Sequence, residues 1–582
     1  MSEFFITKKN IVDIDEWHDY LEKALMSYVK EYIDDESDIA KIKRAYNFAF
    51  KAHLGALRDS KEPYIVHPVA VANILAIMHT DVSTICAGLL HDVIEDTPYN
   101  YDDIKKRFGT DVAQIVLGVT KISRAEDVDP NTLDMQIDMN NPEEIENLNR
   151  KKIAEAILKE PRSGIVKLAD RTSNMLTIGY KTPLKQQSKS VETLDLYAPI
   201  ANGFGIYKIQ QILEDTSFKH LSPVHSYAYN MLLMKRNRLK EKDEPFLNEI
   251  LQKIIETMKD NIKIVGHYDE KDMESKTVDE LLNETILVGD NLSRVRIKHV
   301  YGIYDAFMKM MPNNTGDPES EALTEEQYIN QMLHDPESLE KIHDLRVVKL
   351  IMKDEISCWM ARMILCSLYP PIDKYQHNYI ANPKSNMYKS FHETCYINGK
   401  LVQFQIRTVE QEYRDTYGFA WNLYKFNGKN AKKKILEEFK KYPLYHRLDE
   451  LAHNKNITSL GMYRDLLENE VLKIKEIPVI DKNTGITIFI KEGSTIHDFV
   501  YLMKGNDGDH LAKAIVNDVT YEFPKDKNGN IDYTSYPFYL KLKAGDEIYY
   551  ELDKNVRCVK PISEITHSSS KKLINKPEEV KE

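Results

Sequence analysis

The sequence predicts a multidomain protein with an all-α block first, a mixed α/β domain second and a small β-rich unit third. Three observations carry this. A chain of 582 residues exceeds the roughly 100–200 residues of one domain. Residues 1–200 repeat helical apolar spacing without a convincing strand, whereas β-branched runs begin after residue 266. Two strand-like runs are joined by Asn398-Gly399, a strong short hairpin signal.

The elements follow in order. "IVHPVAVANILAIMH" has helical spacing, and Pro68 suits a first helical position just after His67. "TICAGLLHDVIEDT" reads as one buried helix that turns polar and stops at Pro98. "DIKKRFGTDVAQIVLGVTKIS" is amphipathic, and "NPEEIENLNRKKIAEAILKE" is a helix closed by Pro161. "GIVKLADRTSNMLTI" and "KSVETLDLYAPIANGFGIYKIQQILEDTSF" are also helical. The expected organisation is a first domain over 1–215, a helical linker over 216–265, the α/β domain over 266–430 and a helical connector over 431–475. A β-rich unit over 476–555 and a polar, disordered tail over 556–582 complete it.

Composition narrows the function. A net charge of −12 argues against a dedicated nucleic-acid coat, though not against a local basic pocket. No apolar run reaches the ~18 residues of a membrane span, and "MSEFFITKKN" has no signal-peptide core. The cysteines (Cys86, Cys358, Cys366, Cys395, Cys558) form no CxxC pair. A reducing cytoplasm fits best.

The stretch "LLHDVIEDT" carries His91, Asp92, Glu95 and Asp96. On one helix all four project from less than half of the circumference. Carboxylates so placed repel unless a cation lies between them. Alone, the stretch reads as a solvated acidic helix end. His67 before one helix and Asp170 after another apolar run change the balance. Together with His91 and Asp92 they supply two imidazoles and two carboxylates, a set that suits manganese, iron or zinc. Glu95 and Asp96, one turn on, are placed to polarise or deprotonate water held by the ion.

The run "RDSKEPYIVHP … LLHDVIEDT … GVTKIS … VKLADRTSNM … ETLDLYAPIANGFGI" resembles the hydrolase domain of the RelA/SpoT homologue family, a branch of the HD phosphohydrolases. The resemblance implies a manganese(II) enzyme that removes pyrophosphate from the 3′ position of guanosine tetra- and pentaphosphate. It implies metal ligation by His67, His91, Asp92 and Asp170, and water activation by Glu95 and Asp96. It assigns Arg58, Asn174 and Thr177 to the guanine and ribose. One departure is Asp59, where the family often has a basic residue.

"RVRIKHVYGIYDAF", "HDLRVVKLIM" and "YIANPKSNMYKSFHETCYINGKLVQFQIRT" resemble the same family's synthetase domain, a nucleotidyltransferase-like fold that moves pyrophosphate from ATP to GDP or GTP with magnesium. Asp344 matches the magnesium-binding aspartate and Tyr388 the tyrosine that stacks on guanine. Arg296, Lys298, Lys384, His392 and Arg407 also match. Departures accumulate, however. Gln403 replaces a glutamate that would bind magnesium and accept a proton. Gly302 replaces serine, Ala306 replaces lysine, Lys349 replaces arginine, His377 and Asn378 replace a lysine-aspartate pair, and Met387 replaces glycine. The expectation is a synthetase-like domain that has lost catalysis and serves structure or regulation, with magnesium bound only if it is active.

"ITIFIKEGSTIHDFVYLM … AIVNDVTYEF … LKAGDEIYYEL" resembles a β-grasp TGS domain, a docking module with tRNA or a regulatory protein as partner. The leading expectation is a guanosine-alarmone hydrolase in which the synthetase-like domain regulates the hydrolase. A bifunctional synthetase/hydrolase and a regulator that only binds nucleotide or tRNA stay open.

Overall fold

A computed structural model of the chain describes residues 14–120, 142–261, 295–297, 302–310, 329, 339–340, 342–384, 386–421, 423–426, 430–453, 460–468, 476–491, 494–504, 508, 510–525, 537–543, 545–554 and 556. Lys298 and the expected tail beyond Val556 lie outside these residues. Two compact units divide the chain, Met1–Asn469 and Glu470–Glu582.

The first unit opens with α1 (Ile14–Val29), α2 (Glu36–Ala52), α3 (Val66–Ile77), α4 (Val82–Leu90), the short α5 (Val93–Asp96), α6 (Tyr101–Phe108), α7 (Thr110–Val119), α8 (Pro142–Lys159) and α9 (Pro161–Leu176). Asp35 starts α2 by accepting hydrogen bonds from the N–H groups of Ser37 and Asp38. Pro161 opens α9, where its missing N–H costs nothing. Residues 66–76 of α3 are all buried, as befits a helix apolar all round. At Gly88 of α4, an added Cβ would lie 2.4 Å from Leu75 Cδ1, so the missing side chain lets α3 and α4 approach closely. Arg162 locks the far end of α9. Its Nη1 lies 3.0 Å from Asp81 Oδ2, its Nη2 2.6 Å from Asp111 Oδ1 and its Nε 2.7 Å from Glu160 Oε1.

One expectation about a single helix changes. "LLHDVIEDT" is not one helix, because α4 ends at Leu90 and α5 begins at Val93. At the joint the His91 ring Nδ1–H donates to the Gly88 carbonyl at 2.9 Å, a carbonyl that a continuing helix would give to the Asp92 N–H. "DIKKRFGTDVAQIVLG" is also two helices, broken at Gly109 with φ 94°.

Next come α10 (Pro183–Glu192), a π-helical turn (Thr193–Tyr197), α11 (Ala198–Gly203), α12 (Tyr207–His220) and α13 (Pro223–Asn261). A five-stranded sheet follows, built from β1 (Val295–Ile297), β2 (Arg346–Met352), β3 (His377–Asn378), β4 (Phe391–Ile397) and β5 (Lys400–Thr408). The order is β1-β2-β5-β4-β3, with β2 and β5 parallel and the other pairs antiparallel. The β4–β5 turn is Asn398-Gly399, with φ 47° and 80°, the positive angles a tight hairpin requires. Val402, Phe404 and Ile406 of β5 enter an apolar core shared with Leu247, Ile250 and Ile254 of α13. The stretch read as a linker is thus one wall of the sheet's core. Likewise Phe439, Tyr442 and Leu448 join the apolar core of the helical block, so the stretch read as a connector packs there, as does Phe419 from the stretch before it.

The second unit holds β6 (Glu476–Asp481), β7 (Ile486–Lys491), a helix (Ile496–Lys504), β8 (Leu511–Val516), β9 (Val519–Glu522) and β10 (Glu547–Leu552). Its sheet runs β7-β6-β10-β8-β9, with β6 and β10 parallel. Val479, Phe499, Val500, Leu511 and Ile548 form its core. No helix among the described residues is long and apolar enough to cross a membrane.

Candidate metal centre and the second polar site

Four elements bring the first site together. His67 stands in the first turn of α3, His91 at the α4–α5 joint, Asp92 beside it and Asp170 on α9. Ligand atoms of His67, His91 and Asp170 all lie within 4.8 Å of one another. His67 Nε2 is 3.2 Å from Asp170 Oδ1 and 3.6 Å from Asp92 Oδ2. His91 Nε2 is 3.1 Å from Asp92 Oδ1 and 3.7 Å from Asp170 Oδ1. The rings are held from behind, since His91 Nδ1 is spent on Gly88 and His67 Nδ1 lies 2.9 Å from Ser173 Oγ. Both Nε2 atoms therefore face the carboxylates, the usual arrangement of imidazole ligands. His91 Nε2 is buried and, although 3.1 Å from Asp92 Oδ1, makes no well-aligned hydrogen bond. A cation among these four side chains would satisfy it, so the residues fit a divalent ion.

The electrostatics agree. Burial alone would raise the pKa of Asp170, but the Lys167 ammonium and the two imidazoles hold it well below the carboxylate range. Asp92 is held down likewise, chiefly by His91. Burial pushes His67 down. For His91, burial acts the same way but Asp92 and Asp170 outweigh it and raise the ring well above its ordinary value.

Around the cluster stand residues with separate partners. Arg58 Nη2 donates to Thr177 Oγ1 at 3.1 Å and to Asn174 Oδ1 at 3.5 Å. Asn174 Nδ2 in turn donates to Asp170 Oδ1 at 2.6 Å, which ties this trio to the centre. Glu95 and Asp96 are exposed on α5. Asp96 acts electrostatically on both Tyr64 and His53. Asp59 is ion-paired with Lys181.

The second site lies on the polar face of β5. Gln403 is buried and accepts from Gln405 Nε2 at 2.9 Å. Arg407 donates to Asp415 at 2.7 Å, to Gln405 at 2.6 Å and to the Tyr388 hydroxyl at 2.9 Å. The Tyr388 hydroxyl and His392 Nε2 are 2.6 Å apart. Lys384 Nζ and the Arg407 guanidinium stand 5.0 and 5.2 Å from the Tyr388 ring centroid. Lys349 is ion-paired with Glu412. Lys309 Nζ reaches Asp344 Oδ2 at 2.5 Å and Asp305 Oδ2 at 3.4 Å. Arg296 lies on β1 opposite Val347.

Residues 45–207 match the HD domain family, and residues 295–429 match the family described as a region found in RelA / SpoT proteins. The chain belongs to the RelA/SpoT family. It is 29% identical over 516 residues to a guanosine-3′,5′-bis(diphosphate) 3′-pyrophosphohydrolase of Spiroplasma citri, covering 85% of this chain and 59% of that one. It is 31% identical to a GTP pyrophosphokinase of Myxococcus xanthus, covering 89% of this chain and 58% of the relative. With the bifunctional (p)ppGpp synthase/hydrolase SpoT of Escherichia coli K12 it shares 32% identity, covering 71% and 49%. The chain thus spans between about half and three fifths of the length of these relatives.

In this RelA/SpoT chain the structure gathers His67, His91, Asp92 and Asp170, and places Arg58, Asn174 and Thr177 in mutual contact. It also gathers Tyr388 of the loop before β4, His392 of β4, and Gln403 and Arg407 of β5. Sequence reasoning passed over Ser173, Tyr64 and Lys167. The last two stand three residues before His67 and Asp170, a visible spacing, but neither is a usual metal ligand.

Proposed function

We propose that this chain is a manganese-dependent hydrolase that removes the 3′-diphosphate of guanosine 3′,5′-bis(diphosphate) as pyrophosphate. The single observation that carries this reading is the buried meeting of two imidazoles and two carboxylates, tied through Asn174 to Arg58 and Thr177. Its nitrogen and oxygen donors, free of thiolate, suit manganese. When bound, such an ion supplies Lewis acidity and screens diphosphate charge.

The chain's own residues supply the rest. His67, His91, Asp92 and Asp170 would hold the ion. Arg58 lays a planar cation against the purine, exchanging its bonds to Thr177 and Asn174 for the nucleotide. Asn174 and Thr177 then serve the base and ribose. Glu95 and Asp96 take the proton that water loses as it attacks phosphorus. The bond from that phosphorus to the 3′-oxygen breaks and the 3′-oxygen takes up a proton, giving pyrophosphate and GDP from the tetraphosphate or GTP from the pentaphosphate.

We read the synthetase-like domain as non-catalytic, with magnesium bound there only if that reading fails. Gln403 has no basic group. Lys349 and Arg407 are engaged by Glu412 and Asp415, and Lys309 occupies Asp344. Regulation of the hydrolase by this domain is supported by close contacts. Asn386, two residues before Tyr388, touches Asn202, and the Phe419 N–H donates to the Phe204 carbonyl at 2.8 Å. The second unit, a five-stranded mixed sheet with one helix, supports a TGS-type β-grasp module that docks tRNA or a regulatory protein. This reading places the chain in the cytoplasm.

The test is pyrophosphate release from the tetraphosphate by the full chain, with and without manganese. Release that needs the ion and falls by at least about 10²-fold in Asp92→Ala supports the reading. Release indifferent to both contradicts it.

A further inference from the structure

In each carboxylate of the candidate centre Oδ2 accepts from a residue outside the cluster, Lys167 for Asp170 and Tyr64 for Asp92. Lys167, on α9 one turn before Asp170, holds its Nζ 2.9 Å from Asp170 Oδ2. Oδ1 is then the oxygen toward the two imidazoles, at 3.2 and 3.7 Å; it also accepts from Asn174 Nδ2 at 2.6 Å and keeps its second lone pair for an ion. The Tyr64 hydroxyl donates to Asp92 Oδ2 at 2.7 Å, which leaves that oxygen 3.6 Å from His67 Nε2, while Asp92 Oδ1 lies closer to the cluster at 3.1 Å from His91 Nε2.

These partners call for a reason. Lys167 is only 7% exposed, and burying an ammonium costs several kcal/mol unless it is paired. A centre whose only task was to gather negative charge around a cation would gain nothing from a lysine on one of its carboxylates. What the lysine does is geometric. Helical i,i+3 spacing fixes it over Asp170 and occupies one oxygen. The tyrosine does the same to Asp92 from the loop before α3. Two carboxylates that each offer one oxygen, with two imidazole nitrogens, give four donors. Calcium takes six to eight oxygens and often both oxygens of a carboxylate. First-row transition ions accept the mixed nitrogen and oxygen set.

We propose that Lys167 and Tyr64 are positioning residues that restrict Asp170 and Asp92 to one oxygen each, and thereby set the centre's choice of ion against calcium. The inference rests on the reading of this cluster as a divalent-metal centre. It adds what selects the ion.

The experiment measures binding of manganese and calcium, separately, to the ion-free full chain without nucleotide. Manganese is followed by electron paramagnetic resonance and calcium by calorimetry. The variants are Tyr64→Phe, which loses only a hydroxyl, and Lys167→Met, and the fold of each is checked by circular dichroism. Each folded variant is expected to raise calcium affinity relative to manganese by about tenfold, the lower end of what supporting residues contribute to metal affinity. A ratio within about twofold of the unmodified chain in either folded variant overturns the proposal. If Lys167→Met fails to fold, Tyr64→Phe decides. Binding of neither ion by the unmodified chain would instead overturn the metal reading, so the two failures are distinct.

Discussion

At the scale of the residue, protons and the ion compete for the same nitrogen. In the ion-free protein, burial favours neutral His91, yet Asp92 and Asp170 outweigh it and hold the ring well above its ordinary pKa. Below that raised pKa a metal ion must displace a proton; above it none need leave. Apparent manganese affinity therefore falls as pH falls, by up to about tenfold per pH unit for one displaced proton. Calorimetry in buffers of different ionisation enthalpy is expected to show about one proton released per ion bound near pH 6. Binding without proton release there would contradict this arrangement. The ligand-type residues were legible, since two histidines and two aspartates in one helical block are a chemical signature. Tyr64 was not, because its partner Asp92 becomes visible only once the loop before α3 meets the α4–α5 joint, and Lys167, though at i,i+3 spacing from Asp170, is not a ligand-type residue.

At the scale of the element, breaks matter as much as helices. The single helix expected over "TICAGLLHDVIEDT" is interrupted where the His91 ring takes the Gly88 carbonyl. Apolar spacing cannot foresee a side chain bonding its own backbone. The Asn398-Gly399 hairpin, by contrast, was readable because its turn demands positive φ at both residues. Gly418 carries the strongest backbone demand in the contact between helical block and sheet. Its φ is 53° and ψ −135°, and an added Cβ would lie 2.2 Å from the Phe204 carbonyl oxygen. That backbone region is essentially open only to glycine, and the clash is with main chain, which cannot swing aside. Gly418→Ala is expected to lower stability by about 2–4 kcal/mol, read from the denaturant midpoint of the full chain. A midpoint unchanged in the alanine variant would show that the close approach of residues 204–205 and 418 contributes nothing.

At the scale of the whole molecule, two polar sites of one family fold have different characters. The first keeps two imidazoles and two carboxylates turned inward on one point. The second has internal ion pairs on three of its charged positions, Asp344, Lys349 and Arg407. Sequence reading reached the loss of Gln403's acidic counterpart residue by residue, but the pairing of those charges depends on the fold. On the proposed non-catalytic reading, Gln403→Glu alone is not expected to restore synthesis. With ATP, GDP and magnesium the variant is expected to yield no tetraphosphate above background, and turnover by it, or by the unmodified chain, would show a live site. Domain organisation was legible as three changes of pattern. That α13 would pack into the sheet's core, and Phe419, Phe439, Leu448 and Leu467 into the helical block's core, was not, because an amphipathic helix does not announce which surface it will cover.

The most direct measurement is the fate of label placed on the 3′-diphosphate of guanosine 3′,5′-bis(diphosphate), followed on the ion-free full chain before and after manganese is added. The account predicts intact nucleotide before addition and, after it, label leaving as pyrophosphate with one GDP formed for each. Label that stays on the nucleotide, or leaves as orthophosphate, would contradict it.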